Sequence, residues 1–143
     1  MRIIKMEACH AGELAELDKV CFAVPWSENL FLEEAQSRIA RYFLAVEGDK
    51  IIGYSGVWLV ADEGQITNIA VLPEFRKKGV ASRLLERLIE EAADAKRIVL
   101  EVRESNCAAI ALYEKFGFKN AGMRKNFYRE PTENAIIMIR GET

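Results

Sequence analysis

Glu101 interrupts an otherwise apolar run, RIVLEVR at residues 97–103. A carboxylate in such a strand is costly unless it is paired or put to use. Alternation sets it on the same face as Val99 and Arg103, so it either pairs with Arg103 at a partly exposed position or has a chemical task. A second cluster lies earlier, in AVLPEFRKKGVASRLL. Here a strand stops at Pro73, three cations follow at Arg76, Lys77 and Lys78, and Gly79 leads directly into a helix pattern. Gly79 lets the backbone approach a ligand, and unpaired N–H groups at the helix start favour negative charge. The expected guest is a phosphate or pyrophosphate, against the plainer reading of a solvated basic turn.

Other chemistries lack their residues. The sequence holds neither GxxxxGK[ST] nor GxGxxG, so a P-loop or a dinucleotide fingerprint is not indicated. It has 3 cysteines, Cys9, Cys21 and Cys107, with no CxxC pair, and a single histidine, His10, which reads as a surface or capping residue. No zinc site or disulfide framework is expected. A formal net charge of −2 over 143 residues argues against direct nucleic-acid binding through a broad basic face. No apolar run approaches the ~18 residues of a membrane span, and the apolar start is too short for a signal peptide, so a cytoplasmic protein is expected.

The elements that must position these residues follow from periodicity. RIIKM reads as a strand, and Leu14, Leu17 and Cys21 mark a first helix. Ser27 caps a second helix with Glu28 in its first turn. Two strands joined by EGDK follow. In GQITNIAVLP, Ile66 is three residues from Ile69, while Ile69 and Val71 are two apart, a phase slip that predicts a β-bulge. Val80, Leu84, Leu85, Leu88, Ile89 and Ala92 trace one helical stripe. The strand around Glu101, a short helix SNCAAIALYEKFG closed by Gly117, and two last strands around REPTE complete the chain. One mixed α/β domain over residues 1–143 is expected, in the order β-α-α-β-β-β-α-β-α-β-β.

RKKGVA fits the pattern R/Q-x-x-G-x-G/A that follows a strand in the GCN5-related N-acetyltransferase (GNAT) superfamily. With NIAV, LEVRESNCAAIALYEKFGF, NAIIM and PWS near the start, the chain resembles the RimI type of that superfamily, which acetylates the amino-terminal alanine of ribosomal proteins. The resemblance covers nearly the whole chain. It implies the GNAT fold, a mostly antiparallel sheet splayed between its fourth and fifth strands and flanked by helices, with the pantetheine arm of acetyl-CoA lying in the gap like an added strand.

The resemblance also implies roles. Ile69, Ala70 and Val71 would supply backbone contacts to the acetyl and pantetheine end, with an N–H near Val71 polarising the thioester carbonyl. Arg76, Lys77, Lys78, Gly79, Val80, Ala81 and Ser82 would cradle the pyrophosphate. Glu101 would be the general base, its pKa raised by apolar neighbours, and Tyr113 the acid that protonates the CoA thiolate. On residue type alone Tyr113 reads as core. Asn106 caps its helix, contacts the pantetheine arm, or both. Cys107 reads as a small packed residue rather than an acetyl carrier. Trp26 and Tyr128 would line the peptide groove, Trp26 equally reading as core. The expected partners are acetyl-CoA and a protein N-terminus, that of a ribosomal protein, with a lysine, a small amine or a non-catalytic sensor role as alternatives. NFYREPTENAIIM departs from the RimI pattern at Phe127, in its short loop and at Asn134, all on the acceptor side.

Overall fold

The computed structural model describes residues 1–142. Its strands are β1 (Arg2–Lys5), β2 (Ala40–Glu47), β3 (Lys50–Val60), β4 (Glu63–Val71), β5 (Arg97–Arg103), β6 (Lys119–Tyr128) and β7 (Glu133–Gly141). Its α-helices are α1 (Ala11–Cys21), α2 (Glu28–Gln36), α3 (Val80–Glu91) and α4 (Cys107–Lys115), with single 3-10 turns at Ala8–His10 and Pro73–Phe75. The element order is the one periodicity predicts. The strands form one sheet ordered β1-β2-β3-β4-β5-β7-β6, in which only the β4–β5 pair is parallel.

Local chemistry sets the ends. Ser27 Oγ accepts from Leu30 N at 3.2 Å, and Asn106 Oδ1 accepts from Ala109 N at 3.2 Å, each satisfying a donor that the first helical turn leaves free. His10 Nδ1 accepts from Glu7 N at 2.9 Å, a capping contact. Gly117 takes φ 91° just after α4, a left-handed position that closes the helix at low cost.

Two helical layers cover the sheet. Against α1 and α2 pack Tyr42, Leu44, Tyr54 and Ala70. On the other face Leu84, Leu85 and Leu88 of α3 are fully buried, against Ala45, Ile52 and Val71, against Phe43 and Val57, and against Ile98 and Leu100. Burying each such leucine contributes about 1.5–3 kcal/mol. The second layer continues through Tyr113 and Phe118 to Ile136 and Met138.

The predicted bulge lies in β4. Gly56 pairs with Asn68 and Val57 with Ile66, so Thr67 is the extra residue opposite β3. Ile66 and Ile69, three apart, thereby both pack on the α3 layer. Thr67 and Asn68 both turn to the α1–α2 side, where they bond to Tyr42 and Tyr54. Among the described residues no helix is long and apolar enough to cross a membrane.

Candidate active site

β4 and β5 pair only over Glu63–Gln65 with Arg97–Val99 and then part. The split opens a cavity of about 1020 Å³, lined from β4 by Asn68 and Ile69, from β5 by Glu101 and Arg103, from the α1–α2 connection by Trp26, and from α4 and its cap by Tyr113 and Asn106. The splay between fourth and fifth strands is therefore present, and it brings together the residues expected on both sides of an acyl transfer.

One wall is free strand edge. Leu72 N donates to Ile52 O at 2.8 Å, so its main-chain groups face β3. In an antiparallel ladder the direction alternates, which turns the N–H and C=O of Val71 and Ile69 towards the gap and those of Ala70 towards β3. The Val71 carbonyl is taken: Arg76 Nε donates to it at 2.9 Å and Cys21 Sγ lies 3.6 Å away. Arg76 thus folds back on the end of β4 instead of projecting as a free cation. Ala70 serves packing, its side chain being buried on the α1–α2 face.

The cradle sits at the end of that strand. Gly79 caps α3 at φ 81°, and a Cβ placed on it would meet nothing within 4 Å. The first intrahelical bond, Arg83 N to Gly79 O at 3.2 Å, leaves the amides of Val80, Ala81 and Ser82 ahead of it. Lys77 and Lys78 are exposed beside them, Lys78 Nζ lying 5.7 Å from the Phe75 ring centroid. Three outward amides, the positive helix end and two lysines fit a pyrophosphate. The free edge of β4 fits an extended amide-bearing arm. These residues would hold acetyl-CoA.

Glu101 departs from expectation in its neighbours. It is exposed, not enclosed by apolar side chains, and its oxygen Oε2 meets Arg124 Nε of β6 at 3.2 Å. Arg103 instead serves the loop between β6 and β7. Its guanidinium donates to Arg129 O at 2.8 Å, Pro131 O at 2.9 Å and Glu133 Oε1 at 3.2 Å, and lies 4.6 Å from the Tyr128 ring centroid. Glu133 also accepts from Ser105 N at 2.6 Å, and these donors hold its carboxyl below the usual carboxylate range.

Tyr113 is buried against Phe118, ring centroids 5.7 Å apart, so the packing reading is correct, yet it also lines the cavity. Its hydroxyl has no hydrogen-bond partner among the described residues. No buried side-chain polar atom there lacks a partner, so this oxygen opens to the gap. Burial raises its pKa and keeps it protonated. Burial and the nearby Glu101 charge push Tyr128 up to about 12. Trp26 both packs on Phe31, 5.6 Å between centroids, and lines the cavity. Cys107 is exposed and absent from the lining, whereas Asn106, Ala109 and Tyr113 face inward at helical spacing. The expectation that it packs is corrected: at the first position of α4 it points outward.

Periodicity did not anticipate the polar chain beneath the gap. Asp18 is 1% exposed, accepts from Trp26 N at 2.8 Å and from Tyr54 Oη at 2.6 Å, and Asn68 Nδ2 reaches Tyr54 Oη at 3.2 Å. Beside it, Glu34 Oε1 receives Tyr42 Oη at 2.9 Å and Trp58 Nε1 at 2.8 Å. The available signal was Asp18 itself, a carboxylate on the apolar stripe Leu14, Leu17, Cys21.

The sequence profile of the acetyltransferase (GNAT) family matches residues 11–118. The chain belongs to that family. An Escherichia coli K12 relative, named ribosomal protein bS18-alanine N-acetyltransferase, is 39% identical over 140 residues, spanning 95% of this chain and 94% of the relative. The crystal structure of the ribosomal-protein-S18-alanine N-acetyltransferase from Escherichia coli superposes with TM-score 0.90 at 34% identity, covering 99% of this chain and 95% of that one. Arabidopsis thaliana NAA60 in complex with acetyl-CoA shares the fold at TM-score 0.86 and 15% identity, over 96% of each chain. This acetyltransferase thus has the family's splayed sheet, with acetyl-CoA as its co-substrate.

Proposed function

We propose that this acetyltransferase transfers the acetyl group of acetyl-CoA directly to a protein N-terminal amine, the amino-terminal alanine of a ribosomal small-subunit protein. The observation that carries the reading is Glu101, set in the gap across from the free edge of β4. The relatives' substrate, an N-terminal alanine, supports the choice of acceptor. An acceptor on a ribosomal protein implies work in the cytoplasm.

In this reading Glu101 takes the amine proton directly or through water, the Val71 N–H polarises the thioester carbonyl, and Tyr113 returns a proton to the leaving sulfur. The amides at the start of α3 hold the pyrophosphate, and Asn106, while capping α4, borders the pantetheine path. An α-amine suits a single carboxylate base: its ordinary pKa is about 8 against about 10.4 for lysine, so a larger share is already neutral. Trp26 and Tyr128 both line the gap, and in this reading they take the peptide end. No metal enters this scheme.

The test is thiol release from acetyl-CoA with two peptides, one with a free amino-terminal alanine and one amino-blocked with an internal lysine. Turnover confined to the first, and abolished in Glu101→Gln, is expected. Turnover of the blocked peptide would move the function to lysine acetylation.

A further inference from the structure

Asn68 and Glu101 stand on the two strands that part, and both line the gap. Asn68 is on the α1–α2 side of β4, with Tyr54 and Ala70. Ile98, Leu100 and Val102 of β5 pack into the α3–α4 layer, so Glu101 also lies on the opposite, α1–α2 side. Tyr113 belongs to the other layer. One face of the split thus presents two oxygen-bearing side chains and the other a phenol.

The orientation of the Asn68 amide follows from the chain beneath it. Asp18 receives hydrogen bonds at both oxygens, from Trp26 N and from Tyr54 Oη. The Tyr54 hydroxyl has one proton and gives it to Asp18, so towards Asn68 it can only accept. The group facing it is therefore Nδ2, at 3.2 Å, and Oδ1 is left over. Oδ1 has no partner among the described residues, and since no buried side-chain polar atom there is unpartnered, it opens to the cavity. A buried, fully satisfied chain thus holds one carbonyl oxygen in the gap, opposite Glu101.

We propose that Asn68 Oδ1 accepts a hydrogen bond from the acceptor amine and so aims its lone pair at the thioester carbon. An ammonium brings three N–H groups; one proton passes to Glu101, and fixing one of the two that remain fixes the lone pair. In the transfer the nitrogen bonds to the acetyl carbon and loses its second proton to solvent, keeping the N–H held by Asn68. The carbon–sulfur bond breaks with its electron pair on sulfur, and Tyr113 protonates the thiolate and is itself reprotonated from solvent. Asn68 exchanges no proton. Tyr54 and Asp18 act through it as positioning residues. The inference rests on the proposed transfer to an amine but not on which amine.

Asn68→Ala and Tyr54→Phe, singly and together, are compared with wild type on both peptides, with acetyl-CoA affinity measured by calorimetry. Asn68→Ala is expected to lower kcat/KM for the amine about ten- to a hundredfold, the range for losing a hydrogen bond to a charged or reacting group. Acetyl-CoA Kd should stay unchanged. Tyr54→Phe frees the amide to flip and should give part of the same loss, and the double variant should be no worse than Asn68→Ala. An unchanged kcat/KM in Asn68→Ala, a parallel loss of acetyl-CoA binding, or additive losses in the double variant would overturn the assignment. Wild-type turnover of the lysine peptide alone defeats the alanine acceptor and leaves Asn68 tested on lysine; turnover of neither defeats both.

Discussion

Arg124 Nε lies 3.2 Å from Glu101 Oε2, so the carboxylate in the gap faces a cation from the edge strand β6. Arg124 is 59% exposed at its side chain and Glu101 32%, and an ion pair so open contributes about 0–1 kcal/mol to stability. Its consequence is kinetic. An incoming ammonium competes with the guanidinium for the same oxygens, so Arg124→Ala should lower the KM of the peptide amine, more at low ionic strength than at high, with Tm nearly unmoved. Steady-state rates at two salt concentrations decide it. A raised KM with a fall in kcat would instead mean that Arg124 holds Glu101 in place.

Arg103 ties the β6–β7 loop by four contacts, to Arg129 O, Pro131 O, Glu133 and the Tyr128 ring. Arg103→Ala should raise peptide KM about tenfold, a loss of roughly one charge-assisted contact's worth of order, while acetyl-CoA Kd holds. Acid should act on the same anchor. The Glu133 carboxyl is lowered in the fold from 4.5, so its anchoring is fully present above about pH 4.5 and is lost as pH falls through the lower folded value. Loop protection by hydrogen exchange should therefore hold at pH 6 and fall away only as pH is taken below 4.5 and through the lowered folded value. An equal loss of acetyl-CoA binding in Arg103→Ala would place its effect on the whole sheet.

How far the sequence reached depends on how local each determinant is. The α3 stripe, the Ser27 and Asn106 caps and the slip at Ile66–Ile69 are written in spacings of a few residues, and each is found where spacing puts it. Partners set by sheet register were harder to read. Alternation offered Arg103 for Glu101 because they are two apart on one strand, but β6, two strands away in the sheet order, delivers Arg124. Cys107 has the type of a packed residue, yet its first-turn position on α4 points it outward. The Asp18–Tyr54–Asn68 chain joins three elements 14 to 36 residues apart, which no local pattern encodes.

Tyr113 combines an apolar seat with a hydroxyl open to the gap, which separates its two roles in one substitution. Tyr113→Phe keeps the ring against Phe118, so Tm should shift little. With the proton donor removed, kcat should fall about a hundredfold or more, the lower range for general acid catalysis. Because burial raises the Tyr113 pKa, this group stays protonated through neutral pH, and the rate should show no alkaline fall due to it below about pH 10. Circular dichroism melts and pH–rate profiles of wild type and variant check both statements. A variant with wild-type kcat would leave Tyr113 a core residue only.

Two glycines separate the bulge from the cradle. At Gly56, opposite the bulge, a Cβ would overlap the Tyr42 ring and come within 2.7 Å of Thr67 Oγ1. Gly56→Ala must then push Tyr42 off both Glu34 and Thr67, and overpacking of this kind costs about 1–3 kcal/mol. At Gly79 the space is empty, and the cost of alanine is the left-handed φ alone, about 1–2 kcal/mol. Urea melts should show both losses, but ligand binding should tell them apart. Gly79→Ala tilts the amides of Val80, Ala81 and Ser82 and should weaken acetyl-CoA and free CoA alike. Gly56→Ala shifts Thr67 and Asn68 on the acceptor face and should raise peptide KM while CoA binding persists. The reverse pattern, with CoA binding sensitive to Gly56 and indifferent to Gly79, would relocate the phosphate cradle away from the start of α3.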